Sequence, residues 1–113
     1  MYHFFVMHRN SQVAEVQVSD DHKAVKIRKI IADSIIQPFS GKDMSINRVY
    51  SFLKSRCYED GYAGLKEVLE KAGLKDNNPW DWNRISHGVM WQDDIWIRFI
   101  GENINWEDVR WKK

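Results

Sequence analysis

Residues 2–31 read YHFFVMHRNSQVAEVQVSDDHKAVKIRKII, and this stretch decides the fold. Its first seven residues, Tyr2–His8, are rich in aromatic and β-branched side chains, which is typical of a strand. Residues 13–18 and 24–31 alternate apolar and polar side chains in part, and polar segments with turn signals separate the three runs. The stretch therefore predicts a three-stranded antiparallel meander.

Two helices are predicted in the middle of the chain. Apolar side chains recur at helical spacing across residues 46–57, and Ser45 before them is a suitable N-cap. Asp60 is the predicted N-cap of a second helix. That helix is expected to end at Gly73, because glycine adopts the left-handed conformation of a helix C-terminus at little cost.

The last third of the chain mixes helix and strand. Asn78 followed by Pro79 predicts the start of a short third helix. Residues 95–100 are a predicted strand, and residues 104–111 are either a closing turn or a final strand. The chain is thus predicted to be one compact α+β domain over residues 1–113. It would comprise an N-terminal antiparallel β-meander, two to three central helices and one or more C-terminal strands.

Composition limits the class of protein. The chain has 113 residues, of which 43% are hydrophobic and 29% charged, with a net charge of +1. These values are ordinary for a globular domain. The single cysteine, Cys57, excludes an intramolecular disulfide, and no apolar run is long enough to span a membrane. We therefore expect a cytoplasmic protein with no membrane partner.

The residues that usually carry catalysis or bind metals do not form a recognisable motif. The four histidines lack the spacing that would place two of them on one helix face, and there is no C-x-x-C pair. Cys57 ends an apolar helical stripe, as a buried hydrophobe would. Ser86 and His87 are adjacent, so their side chains diverge on a helix. We expect no metal, no cofactor, no catalytic residue and no enzyme activity.

Tryptophan is concentrated at the C-terminal end, where all six lie within the last 34 residues. In one interpretation Ile95, Ile97 and Phe99 pack inward and Trp96 covers a neighbouring helix. In the other, Trp96 and Arg98 belong to an interface patch, because tryptophan and arginine are favoured in binding hot spots. The second interpretation gives these candidate partner-binding residues: Trp91, Trp96, Arg98, Trp106 and Trp111.

A basic cluster lies in the N-terminal half. Residues 1–57 carry nine Lys and Arg against five Asp and Glu, a net charge of +4, whereas residues 58–113 carry eight against eleven, a net charge of −3. The candidate nucleic-acid contacts are Lys23, Lys26, Arg28 and Lys29. The alternative is a solvated strand edge whose cations prevent edge-to-edge pairing.

Six short segments resemble a known family. They are FLKSRC (52–57), GLKEVL (64–69), AGL (72–74), SHG (86–88), DDIWIR (93–98) and WEDV (106–109). The series is similar to a small module of HipA-like proteins of Firmicutes and their mobile elements, which precedes a kinase domain or stands alone as a neighbouring protein. The resemblance covers roughly the last 60 residues and leaves the N-terminal meander unmatched.

The resemblance implies regulation rather than catalysis. HipA-type toxins are serine/threonine kinases, but nothing in this chain matches a kinase catalytic loop, and the chain is too short for a kinase fold. A stand-alone module of this kind implies a regulator that binds the kinase.

Three hypotheses follow for function. The first is a non-catalytic regulatory protein that binds another protein, similar to an accessory module of a HipA-type toxin–antitoxin system, with a HipA-like kinase as partner. The alternative is a phage- or mobile-element-encoded inhibitor of a bacterial defence enzyme, such as an anti-CRISPR, with a host defence effector as partner. The third is a nucleic-acid-binding module. A homodimer is compatible with all three.

Overall fold

The computed structural model describes residues 1–32, 34–57, 63–90 and 93–110. Within them, the predicted meander is formed by β1 (Tyr2–His8), β2 (Ser11–Val18) and β3 (Val25–Lys29). A fourth strand, β4 (Ile95–Phe99), pairs antiparallel with β1, so the strand order is β3-β2-β1-β4. The two inner strands of the sheet are therefore β2 and β1, and its two edges are β3 and β4.

A β-bulge breaks the register between β1 and β2. Val6 pairs with Ala14 but Met7 pairs with Gln12, which leaves Val13 as the extra residue of β2. Its carbonyl accepts hydrogen bonds from the backbone N–H of Ile30 at 2.9 Å and from the side-chain amide of Gln37 at 3.1 Å. The bulge thus holds the segment that follows β3 against the sheet.

Four helices lie in the described residues: α1 (Ile46–Ser55), α2 (Leu65–Ala72), α3 (Pro79–Ser86) and the single turn α4 (Trp106–Val109). The side chain of Ser45 caps α1 and that of Asn78 caps α3, as predicted. Gly73 ends α2 in the left-handed conformation with a φ of 77°, also as predicted.

Two expectations about helices and strands are wrong. The N-cap of α2 is Gly64 rather than Asp60, because the helix begins only at Leu65. Asp60 itself lies outside the described residues. The alternative of a final strand over residues 104–111 is also wrong. Asn105 and Asp108 form a reciprocal capping box, and this local pair of hydrogen bonds turns the chain into α4.

The main core lies between one face of the sheet and the helices α1 and α3. Alternation along each strand places Phe4, Val16 and Ile97 on that face, where all three side chains are fully buried. Val49 and Leu53 of α1 and Phe39 of the preceding connection pack in the same cluster. The described elements form one α+β domain, as predicted, with α1 and α3 packed on one side of an antiparallel sheet.

An aromatic group closes one end of this core. The Tyr2 ring makes edge-to-face contacts with Trp80 and Phe99, and its hydroxyl donates to the Trp80 carbonyl at 2.7 Å. The Arg84 guanidinium lies over the rings of Tyr2 and Phe99, 4.6 and 4.5 Å from their centroids. Burial raises the pKa of the Tyr2 hydroxyl well above its usual range, so this group stays neutral.

None of the helices in the described part of the chain is both long enough and apolar enough to cross a membrane.

Candidate functional site

The second face of the sheet carries polar and aromatic side chains. The strand register aligns Arg28, Glu15, Phe5 and Arg98 in one row across β3, β2, β1 and β4. Side chains two residues away along a strand share a face. We call this set the open face: His3, Phe5, Glu15, Gln17, Lys26, Arg28 and Arg98. The contacts described for these side chains are with other members of the set.

A charged network lies at the centre of the open face. One oxygen of the Glu15 carboxylate is 2.8 Å from Nε2 of His3, and the other is 2.9 Å from Nη2 of Arg28. The hydrogen bonds from His3 and Arg28 lower the pKa of Glu15 below its ordinary value. The carboxylate is therefore ionised and held in one orientation by partners from two neighbouring strands.

An arginine and an aromatic ring lie next to this network. The Arg98 guanidinium is 5.8 Å from the centroid of the Phe5 ring, within the range of a cation–π contact. The centroid of the His3 ring is 6.0 Å from that of the Phe5 ring. Phe5 and Arg98 are both half-buried, so part of each side chain is available to a partner.

The charge of the open face is positive. Lys26, Arg28 and Arg98 supply three cations, and Glu15 is the one carboxylate in the set. Arg28 remains 60% exposed despite its ion pair with Glu15. This face therefore attracts negatively charged groups at its rim and offers an aromatic ring near its centre.

The predicted basic cluster is divided by the sheet. Lys26 and Arg28 lie on the open face, whereas Lys29 points to the other side and its Nζ donates to the Gly41 carbonyl at 2.8 Å. Lys23 lies in the turn before β3, where its backbone N–H donates to Asp21. Two of the four cations, Lys26 and Arg28, therefore lie on the same face as Arg98. Arg98 was predicted to belong to the tryptophan-rich interface patch instead.

The prediction that Trp96 binds a partner is wrong. Its side chain is fully buried, and its indole N–H donates to the Arg9 carbonyl at 2.6 Å. Its cross-strand partner Met7 is fully buried too. Alternation puts both residues on the side of the open face, at the end near the β1–β2 turn, where they form a second, smaller buried layer. A packed and hydrogen-bonded indole has no surface to offer.

The other tryptophans predicted to bind a partner are Trp91, Trp106 and Trp111. Trp106 is half-buried at the first turn of α4, and its backbone N–H donates to the side chain of Asn10 in the β1–β2 turn at 2.8 Å. The structure does not place it in the row with Arg98. Trp91 and Trp111 lie outside the described residues, so their predicted role stays a prediction.

The sequence reasoning missed His3, Phe5 and Glu15. A usable signal was present, because the alternation in Tyr2–His8 separates Tyr2, Phe4 and Val6 from His3 and Phe5. The segment was interpreted only as a strand rich in aromatic and β-branched side chains, without dividing its residues between the two faces. The pairing of Glu15 with His3 and Arg28 depends on the register of three strands, which the sequence pattern does not specify to one residue.

Several positions that carry the HipA-like resemblance meet in one structural contact. Arg56, at the C-cap of α1, donates from Nε to the Gly88 carbonyl at 2.7 Å and from Nη2 to the Ile95 carbonyl at 2.6 Å. Its guanidinium also makes a two-point contact with the Asp93 carboxylate. These residues belong to the segments 52–57, 86–88 and 93–98, so this part of the motif series stabilises the fold.

His87 and Glu102 form a structural pair near the end of β4. Nε2 of His87 lies 2.8 Å from one Glu102 oxygen, and the other oxygen accepts from the backbone N–H of Phe99 at 2.7 Å. In the part of the chain that the structure describes, no three His, Cys, Asp or Glu side chains are grouped as metal ligands would be. The open face is therefore the strongest candidate for a functional surface.

No protein-family model, no curated protein and no solved structure matches this chain. The resemblance to HipA-like modules consequently stays a prediction based on the six segments.

Proposed function

We propose that this chain is a non-catalytic regulatory protein that binds another protein through the open face of its sheet. The observation that supports this proposal is the placement of Arg98 over Phe5 beside the Glu15 network. Arginine and aromatic side chains dominate the energetics of protein interfaces. Because cross-strand contacts already orient these side chains, little further ordering is needed when a partner binds.

The proposed partner is a HipA-like kinase, with the chain acting as the separate regulatory module of a toxin–antitoxin system. The support for this partner is the resemblance of the six C-terminal segments. The alternative is that a phage or mobile element encodes the chain as an inhibitor of a bacterial defence enzyme. Partners of both kinds are cytoplasmic, so the proposal places the chain in the cytoplasm.

Nucleic-acid binding is a second candidate function, favoured by one observation. Lys26, Arg28 and Arg98 share the open face with Phe5, and cations around an aromatic ring are the elements of a single-strand binding surface. The ionised Glu15 carboxylate in the middle of the row works against phosphates. A protein partner, which can supply both charges, fits this mixed surface better.

The first experiment tests the kinase. The genes beside this one are inspected for a HipA-like kinase, and the purified kinase is titrated with the chain while binding and autophosphorylation are measured. Binding with a change in kinase activity supports the toxin–antitoxin form of the proposal. If a neighbouring kinase neither binds nor responds, that form is wrong, and the inhibitor of a defence enzyme becomes the leading candidate.

A second measurement separates protein binding from nucleic-acid binding. Single-stranded oligonucleotide is titrated at several salt concentrations. A nucleic-acid function predicts binding that weakens steeply with salt, with a slope set by the number of phosphate contacts. Loss of that binding in an Arg28→Ala, Arg98→Ala variant would favour the second candidate over the first.

A further inference from the structure

The two outer edges of the sheet differ. At the edge formed by β4, the backbone N–H of Ile97 donates to the His87 carbonyl at 2.7 Å, and that of Phe99 donates to Glu102 at 2.7 Å. The Arg56 side chain donates a hydrogen bond to the Ile95 carbonyl on the same edge. Groups of the same chain therefore already hydrogen-bond to the outward backbone groups of β4, so few of these groups are left to pair with another strand.

The edge formed by β3 is different. The Ser19 N–H donates to the Ala24 carbonyl, and the Ile30 N–H donates to the Val13 carbonyl. These bonds fix which residues of β3 face β2, because hydrogen-bonded pairs alternate along an antiparallel ladder. The backbone N–H and C=O of Val25 and Ile27 therefore point away from β2, outward from the edge of the sheet. Within the described ranges, no backbone or side-chain group occupies them.

The side chains beside this edge indicate what would bind to it. Lys26 and Arg28 are exposed on the open face, whereas Val25 and Ile27 are half-buried against the core on the opposite face. A second copy paired antiparallel about Ile27 would place Lys26 opposite Arg28 twice, and like charges across a strand pair repel. A strand with acidic side chains on one face and apolar side chains on the other would complement both faces.

We propose that the β3 edge at Val25 and Ile27 binds an extended segment of the partner protein as a fifth strand, with acidic and apolar residues alternating along it. This inference rests on the proposed protein-binding function and specifies the chemistry of the partner. Main-chain hydrogen bonds would supply affinity, and the cations Lys26 and Arg28 would select acidic side chains. The bound segment would extend the row of open-face side chains by one strand.

The test uses a fluorescent, acetylated heptapeptide that alternates glutamate and valine, titrated into the whole chain. Two comparison peptides carry lysine in place of glutamate, or N-methylated backbone on the edge that pairs with β3. We expect saturable binding of the acidic peptide at or below roughly millimolar concentration, and at least tenfold weaker binding of both comparison peptides. Amide chemical shifts of Val25 and Ile27 should change with the acidic peptide.

Variants of the chain complete the test. Ile27→Pro removes an outward N–H that the fold does not use, so the edge is blocked while the sheet is retained. Lys26→Glu is expected to weaken peptide binding by about threefold to tenfold. Lys66→Glu on α2, an exposed position with the same charge change, is the matched control and should leave binding unchanged. Lys26→Glu keeps the test decisive if Ile27→Pro does not fold.

The outcomes separate this inference from the protein-binding proposal. Equal binding of the acidic and lysine peptides, or no saturable binding of the acidic one, overturns the β3 inference. A concentration-dependent dimer lost in Ile27→Pro also overturns it, because the second copy would then be the occupant. A full-length partner that binds wild type and Ile27→Pro equally overturns only the strand addition and leaves the open face as the binding surface.

Discussion

The Arg56 guanidinium and the Asp93 carboxylate face each other in a two-point contact, with nitrogen–oxygen distances of 2.7 and 2.8 Å. Arg56 is only 7% exposed, and its Nε and Nη2 also donate to the backbone carbonyls of Gly88 and Ile95. One side chain thus connects the end of α1 to the segment that leads into β4. A buried cation is stable only when it is paired and hydrogen-bonded, and here each of the three guanidinium nitrogens donates to at least one acceptor.

This contact predicts a large effect of Arg56→Lys. Lysine keeps the charge but cannot reproduce the fork geometry, so most of the four hydrogen bonds are lost. We expect the free energy of unfolding to fall by about 2–3 kcal/mol in urea titrations. The control is Arg110→Lys, whose exposed pair with Glu107 should change stability by less than about 0.5 kcal/mol. Similar effects of the two substitutions would contradict the assigned role of Arg56.

The same pair predicts a pH dependence. Burial alone would raise the pKa of Asp93, but hydrogen bonding and attraction from Arg56 outweigh it and lower the pKa below the ordinary value of 3.8. A carboxyl group with a lowered folded-state pKa stabilises the fold above its unfolded-state pKa and loses that contribution as the pH falls through the folded-state value. Asp93→Asn should therefore be less stable than wild type at pH 6.

The stability difference between wild type and Asp93→Asn should shrink as the pH is lowered below 3.8. Urea unfolding of both proteins at pH 6 and pH 3 measures this difference. The lowered pKa of Glu15 affects both proteins alike and cancels in the comparison. A difference that stays constant over this range would mean that the Asp93 charge does not stabilise the fold.

Gly88 and Gly101 allow the cost of backbone strain to be separated from the cost of overpacking. Both have positive φ angles, 64° and 85°, which a residue with a Cβ atom adopts only at a cost. A Cβ at Gly88 would lie 3.0 Å from Oδ1 of Asn83 and 3.0 Å from Cδ1 of Ile97, whereas a Cβ at Gly101 has no atom within 4 Å. Alanine at Gly101 should cost about 1 kcal/mol, from backbone strain alone.

Alanine at Gly88 should cost about 2–4 kcal/mol, because overpacking adds to the same strain. Thermal and urea unfolding of the two alanine variants give the comparison. Equal losses of stability would show that the side chains of Asn83 and Ile97 move aside at little cost, which would contradict the predicted overpacking.

Trp96 predicts a loss of stability instead of a loss of binding. Trp96→Ala should reduce the free energy of unfolding by about 3–5 kcal/mol, since it empties a buried site. Ile100→Ala, at an exposed position beyond the same strand, should change it by less than about 0.5 kcal/mol. Trp96→Phe, which keeps most of the packing, should retain partner binding. A folded Trp96→Phe that loses the partner would restore the interface role first predicted for this residue.

Local sequence patterns predicted most of the fold. The meander, the caps Ser45 and Asn78 and the glycine at the end of α2 follow from short-range chemistry, and all are confirmed. The position of β4 beside β1 depends on contacts between residues far apart along the chain, such as Arg9 with Asp94, 85 residues apart, which no local pattern encodes. The β-bulge at Val13, whose carbonyl accepts from Ile30 and Gln37, is likewise not encoded in a local pattern.

The candidate site was less predictable than the fold. Arg98 was correctly separated from Ile97 and Phe99 by strand alternation, but Trp96 shares its face and is buried. Alternation assigns a side chain to a face and does not reveal which part of that face other residues cover. Lys26 and Arg28 were identified as a cluster in sequence. Only the pairing of β3 with β2 shows that Arg28 lies in the row of Glu15 and Arg98, and that Lys26 lies in the next row, beside Gln17 and His3.

The most direct measurement is affinity capture from a lysate of the native host, with wild type beside a Phe5→Ala, Arg98→Ala variant. An Ile85→Ala, Arg110→Ala variant removes exposed side chains of the same kinds elsewhere and serves as the control. Circular dichroism first establishes that all three proteins are folded. The account predicts one protein partner that wild type and the control retain and that the open-face variant loses. A partner retained equally by all three proteins would contradict the assignment of the open face as the binding surface.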